Sequence, residues 1–367
     1  MQNNENHVSN VMELNNRNIH KFVLPIKISI DPMERLLVAS FKGDPEYTML
    51  EPQVYNDPVN GKGMRVLRYR RDNKVDVYWQ PGVHVERSTI SIGAGIGDFM
   101  ETAIEPAKFE ITNKGVDVHF SFNDAQGRKV ELKIKENTIK NNRFPFLAPV
   151  GNDIENPQRL FLVNMLGFEF IKRKGTEVIA KIGNRMLFPE SFPVLRDFQR
   201  VFFMRYSTQP VIGTLNPKMD EPLVFETNFP GSVEINGMKV LIDKEGKISQ
   251  LSAGENLCKA EMEFLPGFPD ILNMKDGAIE SGRWIYRLSG SIITGGIYNL
   301  IRKGNSIEME IDVTENWKPE NLPLSFRIFT FLVKSFRKWP TTYKWKGTLV
   351  IDDKFSMNGS WERKNKK

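Results

Sequence analysis

The stretch NGKGMRVLRYRRDNKVDVYWQPG, residues 60–82, decides the fold class. Apolar and charged residues alternate up to Tyr69 and again from Val75 through Val77 to Trp79, the period of a strand with one face turned inward. Between the two runs stands Asp72-Asn73, a pair suited to a tight reversal because both side chains bond their own backbone and tolerate left-handed φ. The reading is strand, charged turn, strand, which is a β-hairpin.

The same order recurs at NGMKVLIDKEGKISQLSAG, residues 236–254, with the reversal at Glu245-Gly246. Further matches follow in sequence. Gly95-Ile96-Gly97-Asp98 falls opposite Gly267-Phe268-Pro269-Asp270, residues 127–145 opposite 304–323, and Lys174-Gly175-Thr176 opposite Lys346-Gly347-Thr348. Ordered matches with small length changes imply a tandem duplication. The division is an Asn-rich flexible tail at 1–21, a first half at 22–210, a Pro-bearing linker at 211–223 and a second half at 224–364.

Most other segments, such as VDVHFSF, KVELKIKE, TEVIAKI and SIEMEIDV, also alternate and are separated by Gly, Asn, Asp or Pro turns. The expected fold class is all-β and mainly antiparallel: a tandem duplication giving two lipocalin-like barrels or β-sandwiches, with one or two short helices. Two segments stand apart, LFLVNMLGFEFI at 160–171 and LPLSFRIFTFLVKSFRKW from Leu322 to Trp339. As a helix, the second places Ile328, Phe331, Leu332, Ser335 and Trp339 on one face and Arg327, Lys334, Arg337 and Lys338 on the rest. No acidic residue interrupts the run 325–347. It reads either as an element closing a barrel end or as a basic aromatic segment making peripheral contact with anionic lipid.

The glycine cluster SIGAGIGDFMETAIEP, residues 91–106, invites a nucleotide reading and fails it. A dinucleotide fingerprint starting at Gly93 and Gly95 needs its third glycine where Asp98 stands, a carboxylate beside the phosphates. The following segment meets Pro106 too soon for a long helix, and Pro269 replaces Gly97 in the second copy. The cluster is read as a turn, and no cofactor is implied.

Composition narrows the function classes. The 367 residues are 40% hydrophobic and 26% charged, a globular balance, and the net charge of +6 is a mild excess without any nucleic-acid motif. Cys258 is the only cysteine, so no intramolecular disulfide forms, and the N-terminus lacks the basic and apolar regions of a signal peptide. The expected setting is cytoplasmic, with no transmembrane segment. The four histidines, His7, His20, His84 and His119, have no metal-ligand spacing.

The expected function is binding of an apolar or amphipathic small molecule in a barrel interior lined by Tyr78, Trp79, His84, Phe120, Trp284 and Tyr286. Trp79 ends an inward-facing run and His84 follows the turn Pro81-Gly82, which places both near a barrel mouth. The alternative is an enzyme of hydratase or isomerase type acting on such a molecule through a buried carboxyl acid. Its candidates are Asp98 and Asp270, repeated acids beside Phe99-Met100 and Ile271-Leu272, and Glu51 in the apolar-flanked MLEPQVY; burial there raises a carboxyl pKa toward general-acid use. A turn aspartate capping its own backbone produces the same pattern at Asp98 and Asp270.

Overall fold

The computed structural model describes residues 19–87, 90, 94–139, 143–149, 155–191 and 200–364. Most of the tail read at 1–21 and Ser91 to Gly93 of the glycine cluster lie outside these residues. The protein is mostly β, its sheets curl, one of them into a half-barrel, and two short α-helices, Leu324–Leu332 and Ser335–Lys338, complete it.

An 11-stranded sheet forms the first part. Across it run Ile28–Asp31, Gln209–Leu215, Leu160–Lys172, Val201–Ser207, Arg35–Lys42, Tyr47–Asp57, Gly61–Arg70, Val75–Trp79 and Ile96–Glu101, with Phe144–Ala148 and Phe188–Pro189 pairing onto it at the side. One face packs on a 5-stranded sheet of Ala107–Thr112, Gly115–Asn123, Lys129–Glu136, Thr176–Ile182 and Arg185–Met186. Alternation decides what meets there: Val130, Leu132 and Ile134 point inward from one sheet, Leu37, Ala39 and Val66 from the other. The hairpin of residues 60–82 forms as read, closed by Arg70 N–H donating to Lys74 O at 2.9 Å, with Asn73 in the left-handed region at φ 63°.

The second part is a 9-stranded antiparallel meander from Gly231–Ile235 to Phe355–Arg363 in strict chain order, and its two outer strands are not bonded to each other. Its inner face carries Trp284, Tyr286, Tyr298, Trp345 and Trp361, all buried. The Trp345 indole lies across two glycines that are partners in register, Gly347 and Gly359; a Cβ on either would come within 2.3 Å or 2.1 Å of the ring.

The two parts are not joined by a free linker. Residues 211–215 of the segment read as a linker belong to the strand Gln209–Leu215, where Val211, Ile212 and Leu215 are buried, and this apolar content is why the run pairs. Beyond it, Trp361 Nε1 donates to Asn216 O at 2.9 Å. The strand His20–Leu24 pairs with Leu223–Thr227. One continuous core cluster includes Phe22, Leu160 and Ile212 together with Val240, Trp284 and Trp345, so much of the apolar interior is common to both parts.

The matches in sequence differ in their local setting. The hairpin of residues 236–254 forms, with Asp243 N–H donating to Lys247 O at 2.9 Å. Gly175 sits in a turn at φ 79°, however, whereas Gly347 lies inside the strand Tyr343–Ile351. Residues 160–171 are a strand and residues 324–332 a helix, because the former pairs on both sides within the sheet.

Candidate functional site

The hairpin 60–82 puts an arginine in phase with its inward apolar residues Met64 and Val66. Arg68 is fully buried, and its guanidinium reaches Asp76 at 2.9 Å, Asp124 at 2.9 Å and the partly exposed Asp98 at 3.5 Å. It also lies 4.1 Å above the Tyr47 ring, and Tyr78 Oη donates to Asp98 Oδ2 at 2.6 Å. Burial opposes ionisation of Asp124, but hydrogen bonds from Arg68, the Arg128 N–H and the Arg128 side chain outweigh it and lower its pKa. The glycine cluster joins here. Ile96–Glu101 is a strand parallel to Val75–Trp79, and Gly97 is small because a Cβ would come 2.2 Å from Asp76 Oδ1. Asp98 thus belongs to a saturated ion-pair network.

Asp270, its counterpart in the sequence match, has a different setting. It caps the short 3-10 turn Ile271–Asn273, accepting from the Leu272 N–H at 3.1 Å and from Asn273 Nδ2 at 2.7 Å. Burial raises its pKa against those bonds. No arginine pairs with it among the described residues.

The third acid stands in the neighbouring strand Tyr47–Asp57, opposite Leu67, on the other face of the sheet. Glu51 accepts from Tyr69 Oη at 2.8 Å and from Gln53 Nε2 at 2.7 Å, and Gln53 Oε1 in turn accepts from Tyr55 Oη at 2.8 Å and Arg65 Nε at 2.7 Å. Burial pushes the Glu51 carboxyl above its ordinary range, despite those bonds and the nearby Arg205 and Arg65 charges. Trp79 shares this face, beside Arg65 in register and 4.5 Å from Phe99.

The remaining candidates disperse. Tyr78 and Phe120 belong to the core between the first two sheets, while Trp284 and Tyr286 belong to the other core. Trp284 Nε1 and Tyr286 Oη are buried without a hydrogen-bond partner, and the Tyr286 hydroxyl closes on Gly213, where a Cβ would come within 2.6 Å. His84 is exposed, its Nδ1 3.3 Å from Val59 O. Cys258 is a partly buried free thiol, 3.6 Å from Gln209 Nε2. A groove of about 720 Å³ on the meander is lined by residues such as Asn299, Glu310, Lys346 and Asn358, none of them among the candidate site residues read from the sequence. Among the described residues, no group of three or more His, Cys, Asp or Glu is placed to hold a metal, and no helix is long and apolar enough to cross a membrane.

The helix Leu324–Leu332 corrects one detail of the sequence reading. It docks through Phe326 and Thr330, with Phe326 stacked 5.7 Å from Phe170, while Trp339 is buried outside it in a 3-10 turn. On the free face, Leu324 is 71% exposed, Ile328 46%, Phe331 66% and Leu332 65%. Arg327, Lys334 and Lys338 are exposed around them and pair with no carboxylate among the described residues. The helix presents the Ile328–Phe331–Leu332 side outward because Phe326, one turn-face away, fills the gap over Phe144, Phe146, Phe168 and Phe170.

Sequence reasoning passed over Arg68 and Arg205, and a signal existed for both: each is a cation in phase with the apolar residues of its strand, Met64 and Val66 for one, Val201 and Phe203 for the other. No protein-family model, curated protein or solved structure matches the chain, so its function rests on this geometry.

Proposed function

We propose that the protein works at an anionic lipid surface, docking through residues 324–338 and handling an amphipathic molecule there. The observation that carries this is the free apolar face of Leu324, Ile328, Phe331 and Leu332, ringed by Arg327, Lys334 and Lys338, which pair with no carboxylate among the described residues. Fully burying one Leu, Ile or Phe side chain is worth roughly 1.5–3 kcal/mol, and each basic residue near an anionic surface adds about 1 kcal/mol. Several of each suffice for reversible binding without a spanning segment. The tandem duplication of lipocalin-like units belongs to the same proposal; the similar hairpins at 60–82 and 236–254 support it.

The test is co-sedimentation with vesicles of phosphatidylcholine alone and of phosphatidylcholine with phosphatidylglycerol, at low and high salt. Binding to the anionic vesicles only, weakened by salt and abolished in Phe331→Ser/Leu332→Ser with an unchanged near-UV spectrum, is the expected result. Equal binding by the double variant refutes the proposal. So does a stable dimer that the double variant dissolves while neither protein binds vesicles, since the face then serves a second copy of the chain.

A further inference from the structure

Behind the docked side of the helix, one row of residues crosses the large sheet. Phe170 stands opposite Arg205, Arg205 opposite Val38, and Glu51 opposite Leu67. The register that sets Leu36 against Gln53 and Ala39 against Leu50 brings Val38 next to Glu51. Arg205 and Glu51 therefore flank Val38 on one face. Ser40, two residues from Val38, points to that same face by strand alternation.

Two polar groups on this face lack hydrogen-bond partners among the described residues. Arg205 Nη1 and Ser40 Oγ are both buried without a hydrogen bond, and Ser40 is 1% exposed. Arg205 makes no ion pair with a described residue, and its guanidinium carbon lies 5.1 Å from the centre of the Phe203 ring. Glu51, whose oxygens accept from Tyr69 and Gln53, acts on Arg205 through its charge alone, as does Glu190. Arg205 as a whole is half-buried, but leaving its buried Nη1 without a hydrogen bond is costly, in contrast to Arg68, whose guanidinium meets three carboxylates. Beside this guanidinium the surroundings are aromatic: Phe203 stacks 6.4 Å from Phe170, and Phe170 stacks 5.7 Å from Phe326 on the helix.

We infer that Arg205 and Ser40 receive the carboxylate of an amphipathic molecule whose apolar tail lies along Phe203 and Phe170 toward the helix Leu324–Leu332. The guanidinium fork matches a carboxylate with two parallel hydrogen bonds, the serine hydroxyl donates a further one, and the rings take the tail. Burial, which draws the Arg205 guanidinium below its ordinary range, is offset when an anion arrives. This deepens the lipid reading and rests on it for the source of the ligand, whereas the anion site stands on its own geometry.

The experiment is calorimetric titration of the full chain, without vesicles, using dodecanoate below its micelle concentration, dodecanol and acetate. Saturable dodecanoate binding, at least about tenfold tighter than dodecanol and acetate, is expected, since loss of a charge-assisted pair or of the buried tail each costs at least that factor. Arg205→Met should remove the preference over dodecanol while leaving vesicle co-sedimentation unchanged, and Ser40→Ala should weaken dodecanoate several-fold. If dodecanol binds as well as dodecanoate to the wild type, the anion site is refuted without any variant; if acetate binds as well, the tail path is refuted. Absence of saturable dodecanoate binding overturns the inference even where vesicle binding holds, and vesicle binding can fail while this titration succeeds.

Discussion

Replacing Arg68 by methionine removes the cation from a pocket that keeps its carboxylates. Asp76 and Asp124 are both fully buried, each 2.9 Å from the guanidinium. Asp124 retains Arg128 Nε at 2.9 Å, and Asp76 retains the Asp98 N–H at 2.9 Å, so neither is left bare. Breaking a buried pair from one side costs about 3–5 kcal/mol, and loss of stacking on Tyr47 adds up to about 1 kcal/mol. We expect a loss of about 3–5 kcal/mol in urea denaturation at pH 7, with Arg68→Lys intermediate because an ammonium cannot fork between two carboxylates. The acid limb gives a second reading. The folded pKa of Asp124 is depressed, so its contribution is complete above the unfolded value of about 3.9 and is lost as pH falls through the lower folded value. In Arg68→Met that depression shrinks, so the wild-type advantage should narrow below about pH 4. A loss under about 1 kcal/mol at pH 7, or an advantage that does not change with acid, would refute the view that this cluster is a paired charge network rather than a set of independent surface-like ions.

Two further substitutions probe the meander. Gly359→Ala puts a methyl 2.1 Å from the Trp345 ring, so overpacking should cost about 1–3 kcal/mol in the same urea assay; a neutral result would mean the indole is free to move. Trp361→Phe keeps the aromatic bulk but leaves the Asn216 carbonyl without its donor, which should cost about 1–3 kcal/mol, and wild-type stability would show that water replaces the bond.

The alternating runs determined a good deal by themselves. Residues 60–82 and 236–254 are hairpins because alternation sets the strands and Asp72-Asn73 or Glu245-Gly246 sets the turns, and all of that information is local. That no long helix follows the glycine cluster was also legible, since Pro106 stands close behind it, and Ile96–Glu101 is a strand. Alternation assigns residues to two faces, however, and does not say which face meets what. Arg68 and Arg205 are both in phase with apolar neighbours, yet one is matched by carboxylates from three separate stretches and the other makes no ion pair with a described residue. Similarly, the helix 324–332 has apolar residues on more than one side, and Phe326 rather than the Ile328–Phe331–Leu332 face docks, because Phe144, Phe146, Phe168 and Phe170 gather beneath it from distant strands. The sequence by itself determined strands, turns and the phase of each side chain, since those follow from dihedral preferences and period. Only the tertiary structure decided which charges are paired, which aromatic face is left free and which strands neighbour one another, because each depends on partners far along the chain whose position no local pattern encodes.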